Sequence, residues 1–380
     1  MRLLDLENAK TVGEALDIAN RMGAPVQNFV VADEAGQIGW TLMGQVPVRS
    51  NYDPNFPASW RASQTGWTRW RAPDEYPRIV DSPSGHLWLA NARPIDAVTW
   101  LNFIGNGSYD TGARAGQIRD DLRAIPSATV ADMVKVQLDD RALFLTRWRD
   151  LLLEVLERAP SAKDTQRAQA HDLVKNWSAR ADANDVGYAI VRAFRLQVRR
   201  DVFDTLTASA RAKYPDADFQ PSPQFEGSLW QIVTQRPMHL LNSRFQSWDQ
   251  SLLSSLDAAI GSLHENCDDL NSCTWGRQNT LQMRHPLSAA LPWLARWLDM
   301  PEQAMSGDAA MPRVQGPKFG ASERLVVSPG RESEGVLQMP GGPVDHPLSP
   351  FYGAGHEAWV RGDLVPLLPG KTQHVLRLTP

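Results

Sequence analysis

The sequence predicts an α+β fold in which strands open and close the chain and helices fill its middle, and three observations carry that prediction. An apolar run at residues 28–32 is followed by the turn chemistry Asp33-Glu34-Ala35-Gly36 and a second apolar run at 37–43, the pattern of a β-hairpin. From residue 128 to residue 298 the apolar side chains recur mostly at helical spacing. After residue 324 short runs of β-type residues return, so that the order is sheet, helices, sheet.

Each element follows in turn. Residues 45–83 are rich in Pro, Trp, Arg and Ser with little periodicity, which predicts a long excursion over the surface or around a cavity. His86-Leu87-Trp88-Leu89-Ala90-Asn91 reads as a strand entered through the turn Ser82-Pro83-Ser84-Gly85 and ending at Asn91. A helix over 113–122 follows the loop Gly105-Asn106-Gly107-Ser108. Over 128–158 the residues Val130, Met133, Val134, Leu138, Leu143, Phe144, Trp148, Leu151, Leu152 and Val155 form a helix stripe with a break near Asp139-Asp140. Further helices are predicted at 162–179, 186–213, 245–263 and 287–298, their stripes facing a core. Strands are expected at 324–328, 336–339 and 374–378. The chain divides accordingly into a sheet-rich part (1–125), a mainly helical region (126–300) and returning strands (301–380).

A chain of 380 residues with 42% hydrophobic content can bury one large core or two smaller ones. Its 39 basic and 43 acidic residues are interspersed and leave a net charge of -4, which excludes a polyanion such as nucleic acid as partner. No stretch approaches the roughly 20 apolar residues of a membrane span, and the opening residues are too short and acidic for a signal peptide. As written, the chain is expected to stay in the cytoplasm. Cys267 and Cys273 lie close together in a polar loop where a disulfide is sterically possible; a zinc site would need two further ligands, and only His264 is near. Several of the 14 tryptophans fall in polar loops, as anchors for those loops or as the wall of a pocket for an apolar group.

The standard catalytic motifs are absent. There is no His-Glu-x-x-His, no phosphate-binding loop, no dinucleotide fingerprint and no Gly-x-Ser-x-Gly elbow. The eight histidines are scattered, and His86, His239, His285, His346 and His356 read as structural, so no metal is expected from them. What remains is Asn91 at a strand end and Arg114 at a helix start. An Asn amide can donate to a developing oxyanion and an Arg can orient a polar neighbour, although such residues at element ends are usually caps.

A resemblance adds to this reading. Pro25-Val26-Gln27-Asn28 through Ala32-Asp33, followed by Gly36-Gln37-Ile38-Gly39, resembles the hairpin of the penicillin amidase family, of the form P-x-Q-N-x-x-x-A-D then G-x-I-G. The likeness continues through Gly44 to Arg49, Leu89-Ala90-Asn91, Ala113 to Arg119 and Gln137-Leu138-Asp139. It resumes at Trp275-Gly276, His285-Pro286, Gly320 to Arg324, and Gly341-Gly342 through His346-Pro347-Leu348-Ser349-Pro350-Phe351-Tyr352 to Trp359.

That resemblance implies an N-terminal-nucleophile hydrolase with an αββα sandwich, here incomplete and carrying a large helical insertion, made as a precursor that cleaves itself into an α and a β chain. The first β-chain residue is then a serine whose own α-amino group acts as base. Asn91 matches the residue that helps hold the oxyanion and Arg114 the arginine that orients it; Trp67, Trp70 and Trp88 are expected to form one wall of the acyl pocket. The family serine stands in a Ser-Asn-x-Trp-like sequence upstream of the hairpin. Ser50-Asn51-Tyr52 lies downstream of it and follows Arg49, and Ser108 is a poorer candidate still. The chain is therefore expected to be a truncated amidohydrolase acting on acylated small molecules such as β-lactams, acyl-homoserine lactones or lipopeptides. It would be inactive alone, with a missing α chain and the N-terminal part of the β chain as its partners. No cofactor is expected; structural calcium belongs to the complete enzyme, with Asp96 or Asp110 as possible contributors, and a periplasmic location suits that enzyme. The alternatives are a non-catalytic scaffold for binding or assembly, or a subunit complemented by a separate nucleophile-bearing chain. Unpaired strand edges predict poor solubility.

Overall fold

The computed structural model describes residues 2–53, 56–61, 64–95, 103–105, 109–158 and 165–378. The predicted hairpin is present as β1 (Gln27–Ala32) and β2 (Ile38–Met43), antiparallel with Gln27 opposite Met43 and Ala32 opposite Ile38. The Asp33 carboxylate closes the turn by accepting from the Gln37 N–H at 3.0 Å. The excursion at 45–83 is more ordered than its sequence suggested: β3 (Pro47–Ser50) pairs with β4 (Gly66–Trp70), and β5 (Arg78–Val80) joins the free side of β2.

Alternation along β2 sorts its two faces. Gly39 and Thr41 face α1 (Val12–Ala19), an amphipathic helix that the sequence reading took for sheet and loop. Thr11 caps α1 by accepting from the Glu14 N–H, and Val12 and Leu16 are fully buried beneath it. Gly39 makes this approach possible, since a Cβ there would come within 2.4 Å of Val12. On the opposite face Trp40 and Leu42 join Val46, Tyr76 and Phe103 in a small core, against which Leu87 and Leu89 pack.

Residues 86–91 therefore do not form the predicted strand. Their alternating leucines satisfy a sheet face, but no described strand runs alongside to complete a ladder, and among the described residues the only bridge near them joins Ala92 to Asp110.

The helical region follows the sequence reading more closely. Here α2 (Ala113–Arg123) and α3 (Val130–Gln137) precede a turn at 138–142, where the break near Asp139 was expected. α4 (Thr146–Arg158), α5 (Thr165–Lys175), α6 (Val186–Lys213), α7 (Phe225–Gln235) and α8 (Trp248–Leu263) then enclose the main core, with Trp148, Tyr188, Phe194, Leu229, Leu256 and Ile260 fully buried. Of these, α7 had not been foreseen. Gly187 lets α5 approach α6 closely: a Cβ there would lie 2.4 Å from the Leu173 carbonyl oxygen.

The predicted helix at 287–298 is broken at Pro292 into two short helices, Pro286–Ala290 and Ala295–Leu298, because proline cannot donate to the preceding turn. Cys267 and Cys273 are joined in a disulfide. Two of the C-terminal strands are present, Arg324–Val326 paired with Val336–Gln338. Residues 374–378 are not a strand; Val375, Leu376 and Leu378 are at least 75% exposed and have no ladder partner among the described residues. No helix among the described residues is long and apolar enough to cross a membrane.

Candidate active site

The small core on β2 fixes Leu87 and Leu89, and the chain leaving it reaches Asn91 beside the start of α2. Asn91 has a left-handed backbone (φ 59°), a conformation that asparagine tolerates better than most side chains. Its carbonyl oxygen accepts from the Asp110 N–H at 2.9 Å, which brings the residues just before α2 against it.

Arg114, in the first turn of α2, then closes the arrangement with one nitrogen. Its Nη2 donates to Asn91 Oδ1 at 2.8 Å, to the Ala90 carbonyl oxygen at 3.2 Å and to Asp110 Oδ2 at 3.2 Å. A guanidinium only donates, so the Asn91 atom facing it is the carbonyl oxygen and the amide NH2 points away. That NH2 is exposed and has no hydrogen-bond partner among the described residues. Both residues singled out in the sequence are thus brought together, with the Asn91 amide NH2 left free.

Further along the same face, α2 is anchored by groups the sequence reading did not assign to the site. Gln117 Nε2 donates to Asp139 Oδ2 at 2.6 Å and to the Arg141 carbonyl oxygen at 3.2 Å. Arg141 holds Asp139 through Nε (2.9 Å) and Nη2 (2.7 Å), and its Nη2 also reaches Asp121 on α2. Burial and the neighbouring Asp139 push the Asp121 carboxyl up to about 6. For Asp139 burial acts in the same direction, but the donors Arg141 and Gln117 outweigh it and hold the group down at about 2. Spacing alone places 114, 117 and 121 on one helix face; the partners of Gln117 and Asp121 are 20 or more residues away and come near only through the fold.

The tryptophans divide into two places. Trp67 and Trp70 on β4 pack with their rings tilted at 59° and 5.8 Å apart, Trp67 also meets Trp60 at 5.7 Å, and all three are about half exposed. Trp88 makes no ring contact with them and lies instead beneath Arg123, whose guanidinium carbon is 5.4 Å from its ring centre. An open cleft of about 370 Å³ between the hairpin and α2 is lined by Val30, Ala32, Ile38, His86, Leu87 and Leu122, and by none of the three tryptophans.

Other candidates are less well placed. Ser50 lies on β3 with its hydroxyl 3.4 Å from that of Thr68. Ser108 and Asp96 fall outside the described residues, and the Asp110 carboxylate already accepts from Arg114 and the Thr111 N–H.

Comparison with known proteins agrees with the sequence motifs. The family model described as Penicillin amidase matches residues 1–374. A penicillin acylase 2 proenzyme of Pseudomonas sp. (strain SE83) is 26% identical over 381 residues, covering 96% of this chain and 47% of that protein. The acyl-homoserine lactone acylase QuiP of Pseudomonas putida is 24% identical over 406 residues, with 96% and 47% covered. The chain thus spans about half the length of these curated relatives. Among solved structures, a thermostable penicillin G acylase from Alcaligenes faecalis superposes with a TM-score of 0.58 at 18% identity, covering 100% of this chain and 72% of that one, which shows a shared fold.

Proposed function

Because the chain belongs to the penicillin amidase family, we propose that it carries the oxyanion-holding half of an amide-hydrolysing centre, within a sandwich of the N-terminal-nucleophile type. The observation that carries this reading is the Arg114 contact to Asn91 Oδ1, which leaves the Asn91 NH2 free and exposed. A donor fixed before the reaction stabilises the tetrahedral oxyanion without reorganising, an effect worth roughly 3 to 4 kcal/mol. Arg114 orients the amide and never touches the reacting carbonyl.

The attacking serine, with its own α-amino group as base, is supplied by polypeptide beyond these 380 residues. The share of the relatives' length that this chain spans supports that division. The substrates are acylated small molecules with a linear amide, such as acylated β-lactams, acyl-homoserine lactones or lipopeptides. The exposed face made by Trp67 and Trp70 is assigned to the acyl group, with Trp88 set apart against Arg123.

The test is to express the chain with and without the adjacent upstream coding region and to follow hydrolysis of a chromogenic acyl amide. Activity is expected only with the upstream part. In that active form Asn91→Ala lowers kcat on the order of 100-fold, with KM changed little. Turnover by the 380 residues alone would place the nucleophile inside them, and an unimpaired Asn91→Ala would remove Asn91 from the chemistry.

A further inference from the structure

Arg114, Gln117 and Asp121 occupy one face of α2 at i, i+3 and i+7, so a rigid helix connects the grip on Asn91 to whatever holds the next two turns. What holds them is the turn after α3. Asp139 is 8% exposed and takes donors from Gln117, from the Arg141 side chain and, at 3.0 Å, from the Arg141 N–H. Asp121 reaches the same guanidinium, and its second oxygen, Oδ2, is buried with no donor from any described residue. Two carboxyl groups thus meet at one nitrogen, Arg141 Nη2, and one of them keeps a buried oxygen with no donor from any described residue.

The surrounding charges do not relieve the pair. Asp140, next in the turn, takes Arg180 at 2.5 Å and Arg313 at 3.5 Å, the two cations that the neighbouring segments bring to this turn. Asp120 on α2 is bound to Arg119. Arg141 is left as the cation of the pair.

We propose that Asp121 and Asp139 are positioning residues that share a proton across the base of α2, and that this acid–carboxylate pair, clamped on Arg141, sets Arg114 against Asn91. With the proton in place, the Asp121 hydroxyl fills the orphan oxygen's position and donates to Asp139, and α2 is seated. Without it, two negative charges, one buried and one partly buried, face one guanidinium and the seat loosens. The raised Asp121 carboxyl, near 6, puts this change between mildly acidic and neutral pH. The sign follows: the folded chain holds this proton where the unfolded chain has released it, so Asp121 favours the seated state below about 6 and disfavours it above. The consequence for catalysis rests on the reading of Arg114 given above; the brace itself does not.

Hydrogen exchange on the full chain tests it, reading the amides of α2 after correction for intrinsic rates and using those of α6 as the internal reference. In the unaltered chain, α2 protection is expected to rise about tenfold from pH 7.5 to pH 5, the size of one pKa unit. Asp121→Asn supplies a permanent neutral donor: protection at pH 7.5 should rise to the acidic value and the pH step should vanish. Asp139→Asn removes the common acceptor, and protection should fall at both pH values. The opposite signs are the discriminating result. If Asp121→Asn loosens α2, or leaves the pH step in place, the proposal is wrong; Asp121→Asn alone decides it should Asp139→Asn fail to fold. Should exchange behave as expected while Asn91→Ala leaves turnover intact in the longer enzyme, the brace stands and the assignment of the site falls.

Discussion

Glu226 shows at the scale of one residue how this chain buries charge. It is 4% exposed and accepts from Arg195 at 2.7 Å, Arg147 at 2.8 Å and the Trp148 indole at 2.9 Å. Burial would raise its carboxyl, but the two arginines and the indole outweigh that and hold it below the ordinary range. Glu226→Ala should therefore destabilise the chain by about 2 to 3 kcal/mol, read as a lower denaturant midpoint, because it leaves a buried indole N–H and two partly buried guanidinium groups without their partner. The same carboxylate stabilises the fold above the ordinary glutamate pKa, and that contribution is lost as pH falls toward its lowered folded value. At this scale the sequence was partly legible. Asn91 and Arg114 stood out through local motifs, whereas Gln117, Asp121 and Arg141 are unremarkable in sequence and meet only after the chain turns back at 138–142.

Among elements, legibility followed length and the need for a partner. The 28-residue α6 repeats its apolar stripe often enough to be read without ambiguity, and its observed bounds are those expected. The eight residues of α1 complete barely two turns, and the stripe drew no notice. Residues 86–91 and 374–378 have the alternation or apolar content of strands, but a strand is a relation between two segments, and neither finds a second one among the described residues. Helix ends were better marked. Thr129 and Asp132 form a reciprocal cap at the start of α3, each side chain accepting from the other's backbone N–H at 3.2 Å. Thr129→Ala should cost about 1 kcal/mol, with Thr129→Ser restoring most of it, as measured by thermal unfolding. The disulfide spans six positions between α8 and Trp275; closing so short a loop contributes roughly 2 kcal/mol, and its reduction should lower the melting temperature without unfolding the chain.

For the molecule as a whole, the α+β order was readable because it rests on a change of period along the chain, and period survives without knowledge of contacts. How the strands are assembled was not, since pairing and edges belong to the folded state. In the three-stranded sheet β1 and β5 are both edges among the described residues, and Val30, Ile79 and Val80 are 41 to 52% exposed on them. Edges of this kind pair with other chains unless something covers them. The isolated 380 residues should accordingly associate as concentration rises, visible by light scattering, and Val30→Lys should reduce that association while leaving the helical circular dichroism unchanged.

The backbone at Asn91 narrows what a gene can encode there. Glycine would adopt the same left-handed turn without steric strain and bulkier residues would enter it only under strain, yet of glycine, aspartate and asparagine, the residues most at ease in that turn, only asparagine brings a side-chain amide. A randomised library at this codon, sorted for well-folded chains, should retain glycine beside asparagine. Sorted for hydrolysis in the longer enzyme, it should retain asparagine alone, so the gap between the two selections measures how far one position serves chemistry rather than shape.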